Sequence, residues 1–276
     1  MNRIAAALTA ARQTIPLTEA RLLLRHLLGC SPAWLEAHRD DALDAARAEA
    51  FAALVARRAA GEPIAYLVGT REFYGRDFAV TPAVLIPRPE TELLVDLGRQ
   101  AVAGLPAPRI LDLGTGSGCV AVTLALELPG AEVAAVDVSA AALAVAQGNA
   151  ERLGAKVRFA QSDWFAALGG ECFDLIVANP PYIAAGDRHL AEGDLRFEPP
   201  QALACGVDGL DAIRHIVAAA PQYLRPGGRL YFEHGYDQAE AIAALLSAAG
   251  YAAIEQHRDL AGIVRVSGGK TALRSP

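Results

Sequence analysis

Two clusters in this 276-residue chain have residue types and spacing suited to chemistry. The first is Asn179-Pro180-Pro181-Tyr182, directly after the apolar run Phe173-Asp174-Leu175-Ile176-Val177-Ala178. At average residue usage the tetrapeptide arises by chance in on the order of one in a thousand chains this long, so a bare turn explains it poorly. An asparagine side chain offers one acceptor oxygen, and a proline carbonyl offers a second. Proline also fixes the turn and carries no competing N–H, while tyrosine presents a face to a planar group. The second cluster is Gly114-Thr115-Gly116-Ser117-Gly118, which follows the short apolar run Ile110-Leu111-Asp112-Leu113. Glycines there permit an unusual turn and a close approach of backbone to ligand. Asp137 stands 23 residues beyond Gly114, where a carboxylate can accept both hydroxyls of a ribose diol.

A nicotinamide site is the main rival for the glycine cluster. Its G-x-G-x-x-G fingerprint needs glycine at position 119, but the chain has Cys119 and places Gly118 one residue earlier. Asp112 repels an anion on the loop and suits a cationic or amine-bearing ligand. The pattern Asp112-Leu113-Gly114-Thr115-Gly116-Ser117-Gly118 with Asp137 resembles motif I and the second acidic residue of class I methyltransferases, which bind S-adenosylmethionine. Gln161-Ser162-Asp163-Trp164 matches where that family contacts adenine. Asp163 could accept from the exocyclic amine, and Trp164 could donate its backbone N–H or line the ring. With that cofactor, Asn179 and the Pro180 carbonyl would hold a planar NH₂ in line with the sulfonium methyl and favour proton loss once the new bond forms. Positioning and electrostatics supply most of the acceleration. The expected chemistry is methylation of a planar nitrogen.

The elements needed to position these clusters are legible. The first sixty residues are helical by pattern. Thr18 is the expected N-cap of a helix over 19–28 stopped by Gly29, Ser31-Pro32 opens another, and a third is expected over 41–60. Residues 64–86, punctuated by Gly69, Gly75 and Pro82, read as a hairpin linking two domains. A helix is expected after Pro87-Arg88-Pro89-Glu90-Thr91-Glu92. From Arg109 onward strands alternate with helices, at 109–113, 132–138, 156–161, 173–178 and 229–234, and an antiparallel pair closes the chain at 251–257 and 262–266. Such alternation predicts an α/β fold, a Rossmann-like and mostly parallel sheet covered on both faces. The expected domains are residues 1–63, helical and substrate-docking; 64–86, the hairpin linker; and 87–276, the S-adenosylmethionine-dependent methyltransferase domain.

Adenine in DNA, guanine in ribosomal RNA and glutamine in proteins all present a planar NH₂, and the residue types alone leave the choice open. Leu85-Ile86-Pro87-Arg88-Pro89-Glu90-Thr91-Glu92 resembles the segment before the catalytic domain of the release factor glutamine methyltransferases, the HemK/PrmC family. Gly61-Glu62-Pro63-Ile64-Ala65-Tyr66-Leu67, Arg71-Glu72-Phe73-Tyr74-Gly75 and the stretches from Phe197-Glu198-Pro199 to Gly206-Val207-Asp208-Gly209-Leu210 are similar to the same family. The resemblance implies N5-methylation of the glutamine amide in the Gly-Gly-Gln loop of class 1 peptide chain release factors. It also implies that Gly114, Thr115, Gly116, Ser117, Gly118, Asp137, Asp163, Trp164 and Asn179 contact the cofactor. Asn179, Pro180, Pro181 and Tyr182 would form the glutamine site, with Asn179, Pro180 and Tyr182 serving catalysis. Phe73 and Ile86 are candidates for apolar walls or for plain linker packing. Arg88 is a candidate for ordering the linker against the active-site loop through a carboxylate such as Glu198.

Composition agrees. There are 25 Lys+Arg against 31 Asp+Glu, a net charge of −6, which disfavours a phosphate-clamping surface. The longest uncharged runs, such as 241–254, are 14 residues, short of the about 20 that span a bilayer. The four cysteines form no C-x-x-C pair, and the six histidines have no ligand spacing, so no metal site is expected. His234 and Glu233, at a strand end, are expected to be structural. The N-terminal stretch reads as an amphipathic helix rather than a signal peptide. A cytoplasmic, monomeric enzyme without direct nucleic-acid or membrane contact is expected.

Overall fold

A computed structural model describes residues 2–272. The chain divides into two compact units, Met1–Thr70 and Arg71–Pro276.

The first unit is helical: α1 (Ile4–Ala11), α2 (Leu17–Leu28), α3 (Pro32–Ala37), α4 (Ala45–Ala59) and α5 (Ile64–Val68), with a small antiparallel ladder of β1 (Asn2–Arg3) and β2 (Ala42–Leu43). Its core gathers Ile4, Leu8, Leu23, Leu24, Leu35, Phe51 and Leu67. Gly29 ends α2 in the left-handed region at φ 64°, and the Ser31 hydroxyl accepts the Trp34 N–H at 3.1 Å, both as expected. Thr18 is not the N-cap of α2. That helix opens at Leu17, and the Pro16 carbonyl accepts the Ala20 N–H. The third expected helix starts later than residue 41, because Ala42–Leu43 pairs with Asn2–Arg3 and Asp44 caps α4 by accepting the Arg47 N–H at 2.8 Å. Residues 64–68 are helical rather than part of a hairpin; the hairpin is confined to β3 (Thr70–Phe73) and β4 (Arg76–Ala79).

The second unit is built on a seven-stranded sheet. Its strands are β5 (Arg109–Leu113), β6 (Glu132–Asp137), β7 (Val157–Gln161), β8 (Phe173–Ala178), β9 (Leu224–Glu233), β10 (Ala252–Arg258) and β11 (Val264–Lys270), in the order β10-β11-β9-β8-β5-β6-β7. β5 to β9 are mutually parallel, and β11 runs antiparallel to both β9 and β10. Strand β9 begins five residues before the expected start, with a register shift against β8. Period-two alternation sorts the side chains onto two faces. Leu111, Leu113, Ile176, Ala178, Leu230 and Phe232 pack with Ile213 and Ile216 of α10 (Asp211–Ala219) and with Ile242 and Leu246 of α11 (Ala239–Ala248). Ile110, Leu175, Val177 and Tyr231 pack on the other side with Leu94 and Val95 of α6 (Glu92–Ala101) and with Val120 and Leu124 of α7 (Cys119–Glu127). α8 (Ala140–Leu153) adds Ala150 to that face, and the short α9 (Pro200–Leu203) lies in the long connection after β8.

Chain order reverses between β5 and β8: the path runs from β5 outward through β6 to β7, then returns to β5's other side. In open parallel sheets, ligands bind beyond the carboxyl ends of strands at such a point. Leu113 pairs with Val136 on one side and with Ala178 on the other. The glycine loop, Asp137 and Asn179 therefore leave the sheet side by side.

Candidate active site

An open cleft lies at this reversal, lined by the glycine loop, Asp112, Asp137, Ser162, Asp163, Trp164, Asn179, Pro180 and Pro181. Residues 83–85, Pro87, Arg88 and Thr91 border it from one connection, and Pro199, Gln201 and Ala202 from another. Apart from Gly118 and Tyr182, every residue expected to hold the cofactor or the glutamine lines the cleft, and those two lie one residue from lining residues; the candidate walls Phe73 and Ile86 do not line it.

The glycine loop is held from several sides. Gly118 has φ +80°, and a Cβ there would stand 3.0 Å from the Ala146 Cβ on α8, so the loop packs against that helix only with glycine. The Gly116 N–H donates to Asp137 Oδ2 and the Ser139 N–H to Asp137 Oδ1, both at 2.9 Å. Asp137 thus ties the loop to the start of α8 while one lone pair on each oxygen stays free for a diol. The Thr115 hydroxyl donates to Asp112 Oδ2 at 2.7 Å, and burial pushes the Asp112 carboxyl up to about 7. A cation in the cleft would favour its charged form. Trp164 sits at φ +48°, a strained region for a bulky residue, with its ring beside Gly114. Such a cradle, with two carboxylates and an aromatic wall, fits a nucleoside bearing a diol and a cationic tail.

Asn149 on α8 had no signal in the sequence beyond a polar residue on a helix, yet it is fully buried. Its amide donates to the Ser117 carbonyl at 2.9 Å and the Ala79 carbonyl at 3.0 Å, and accepts the Ala79 N–H at 2.8 Å. One side chain therefore fastens the glycine loop to β4. Asn149→Ala unpairs three backbone groups, the buried Ser117 carbonyl and the half-buried Ala79 N–H and carbonyl; we expect a lower melting temperature and roughly a three- to tenfold weaker cofactor affinity by calorimetry. Unchanged affinity would separate the clamp from the loop.

At the second motif, the Asn179 Nδ2 donates to Thr91 Oγ1 at 3.1 Å, and the Thr91 hydroxyl donates to Glu233 Oε2 at 2.6 Å. Asn179 Oδ1 is buried and has no protein partner. Asn179 lines the cleft, so its amide brings a buried acceptor in need of a donor to the cleft wall. Tyr182 packs against the sheet core, and its hydroxyl donates to Glu233 Oε1 at 3.2 Å. Burial pushes Glu233 up to about 7, opposed by these two hydroxyl donors and Arg265. In the sequence Glu233 reads as structural and Thr91 only as part of the segment 85–92 that precedes a helix and carries the family resemblance; neither residue type signals a role without the fold.

The remaining candidates resolve plainly. Arg88 pairs with the buried Glu198, which also accepts the Ile86 N–H at 3.1 Å, so the segment before α6 is latched to the connection after β8. Phe73 and Ile86 are buried and pack rather than line the cleft; Phe73 meets Phe78 edge-on at 6.0 Å. His234 is buried, with Nδ1–H donating to the Gly235 carbonyl and Nε2 accepting from the Ser267 hydroxyl, each at 2.8 Å. Cys119 lines the cleft, and burial raises its thiol to about 12, so it is a poor nucleophile.

This sheet order, with a glycine loop at the point of chain reversal, defines a class I methyltransferase. The fold matches a methyltransferase from Pyrococcus furiosus (TM-score 0.53, 20% identity, 79% of this chain and 97% of that one). It also matches the T. thermophilus 16S rRNA N2 G1207 methyltransferase in complex with AdoMet and guanosine (TM-score 0.54, 23% identity, 73% and 49%). Residues 1–69 match the PrmC N-terminal domain, and residues 90–194 match the methyltransferase small domain. The release factor glutamine methyltransferase of Bordetella pertussis is 57% identical over 256 residues, 92% of this chain and 95% of that protein. That of Escherichia coli is 44% identical over 258 residues, 92% of each. The chain belongs to the release factor glutamine methyltransferase family.

Proposed function

We propose that this protein methylates N5 of the glutamine side chain in the Gly-Gly-Gln loop of class 1 peptide chain release factors, with S-adenosylmethionine as donor. The observation that carries the reading at this site is the buried, unpartnered Oδ1 of Asn179, a residue that lines the cleft beside the glycine loop. The cofactor supplies an electrophilic methyl on a sulfonium. Gly114, Thr115, Gly116, Ser117 and Gly118 cradle it, Asp137 takes the ribose hydroxyls, and Asp163 and Trp164 take the adenine. Asn179 Oδ1 accepts one amide N–H of the substrate and the Pro180 carbonyl the other. Two acceptors hold the nitrogen in line and stabilise the N–H positive charge that develops as the new bond forms. Pro181 keeps the turn rigid, and Tyr182 walls the substrate side.

The helical unit, which includes α5, reads as a docking module for the release factor, with the β3–β4 hairpin and the chain to residue 86 leading into the catalytic domain. Among the described residues no helix is long and apolar enough to cross a membrane. We read the protein as a cytoplasmic monomer that needs no direct nucleic-acid contact, in keeping with its net charge of −6.

The test is methyl transfer from labelled S-adenosylmethionine to a purified class 1 release factor, beside a variant of that factor whose loop glutamine is alanine. Label enters the first and not the second. Label in neither, but in total RNA or DNA, would leave the cleft chemistry standing and replace the substrate by an exocyclic base amine.

A further inference from the structure

An asparagine amide can present either its oxygen or its NH₂ to a cleft, and only the oxygen can accept a substrate N–H. Nothing in Asn179 itself selects the productive face. The selection comes from behind. The Thr91 oxygen accepts from Asn179 Nδ2 while its proton is committed to Glu233 Oε2 at 2.6 Å. With that proton committed, Thr91 can only accept from Asn179, which leaves the amide oxygen of this cleft-lining residue as the group without a protein partner. Glu233 is buried at the end of β9 and also receives the Tyr182 hydroxyl, so one carboxylate holds Tyr182 directly and Asn179 through Thr91.

We infer that Thr91 and Glu233 are positioning residues for the methyl transfer: the Asn179–Thr91–Glu233 relay fixes the orientation of the Asn179 amide so that its oxygen, not its NH₂, meets the substrate nitrogen. The inference rests on the reading of Asn179 as an acceptor for the substrate amide. Neither Thr91 nor Glu233 needs to touch the substrate. The relay works only with Glu233 as an acceptor. Once protonated, Glu233 donates to Thr91, whose own proton is then free to turn toward Asn179 and favour the reversed amide. Burial places that exchange near pH 7, and the charged and titratable groups facing Glu233 are Arg265 on β11, Glu90 before α6, Cys119 on α7 and Tyr182. Turnover is therefore expected to rise with pH through about 7 as the carboxylate forms.

The test compares Thr91→Val, Thr91→Ser and Glu233→Gln in the full chain, at saturating release factor and S-adenosylmethionine, with cofactor affinity measured separately by calorimetry. Valine keeps the shape and removes the hydroxyl. We expect Thr91→Val to lower kcat by about fivefold or more, with cofactor affinity within about twofold of the parent, because the two hydrogen bonds lost, from Asn179 and to Glu233, lie behind the acceptor and leave the glycine loop and Asp137 untouched. Thr91→Ser restores the hydroxyl and brings kcat back to within about threefold. Glu233→Gln removes the rise of kcat through neutral pH. A smaller fall for Thr91→Val, or failure of serine to rescue, overturns the inference. Asn179→Ala is run in parallel. If it turns over normally, the acceptor reading itself is wrong; if it is inactive while Thr91→Val is not, only the relay falls.

Discussion

Asn179→Ala is expected to lower kcat by about 10²–10³-fold, the usual effect of deleting one preorganised polar contact to the reacting group. The reason lies in the geometry behind the residue. Its Nδ2 is spent on Thr91, its Oδ1 is buried without a partner, and alanine removes the only atom offered to the substrate N–H from that side chain. Cofactor affinity should change by no more than a few-fold, since the glycine loop and Asp137 remain intact. Loss of fold would not explain the result, because the deletion leaves one hydroxyl with a lost donor, worth about 1 kcal/mol. Asn179→Asp sharpens the test: it keeps an acceptor but cannot donate to Thr91 and brings a second carboxylate toward Glu233. Its kcat should fall between those of the parent and the alanine variant. Wild-type turnover by Asn179→Ala, measured as methyl incorporation at saturating substrates, would remove Asn179 from the reaction.

The parts legible in the sequence were those whose signal is local. Alternating apolar strands and helices announced the sheet, and the hydrogen-bonding capacity of Asn179 and Asp137 at strand ends announced the cleft. Where short segments compete with each other, local pattern does not decide the structure. Ala42 and Leu43 look like the start of a helix, but pairing with Asn2–Arg3 claims their backbone first. Ile64–Val68 carries strand-like residues, but its side chains are needed in the helical core and Gly69 ends it as a helix at φ 75°. Contacts across long sequence gaps were invisible for a different reason. Thr91 reaches Glu233 across 142 positions and Asn149 reaches Ala79 across 70. A threonine in a proline-rich stretch and an asparagine on a helix are ordinary until the fold buries them together. Arg88 and Glu198, 110 positions apart, could be paired from sequence only because their surroundings resembled those of a known family.

Asp137→Ala is expected to weaken S-adenosylmethionine binding by roughly 30- to 300-fold, equivalent to about 2–3.4 kcal/mol. Two losses combine there. In the proposed binding mode the ribose hydroxyls lose a charged acceptor, and the Gly116 and Ser139 N–H groups, each 2.9 Å from the carboxylate, lose the atom that shapes the loop. The second loss separates this site from an ordinary diol contact, because it acts before any ligand arrives. Unliganded Asp137→Ala should therefore melt earlier than the parent, whereas removal of a contact made only to ligand would leave the unliganded melting temperature unchanged. Asp137→Asn divides the two contributions. Its single oxygen can retain one backbone N–H, so part of the melting temperature returns, but the charged acceptor for the diol does not, and affinity stays low. Calorimetric affinity and unliganded melting, measured on all three proteins, decide the matter. Parent-like affinity in Asp137→Ala would place the ribose elsewhere in the cleft, and parent-like melting would show that the glycine loop keeps its shape without the carboxylate.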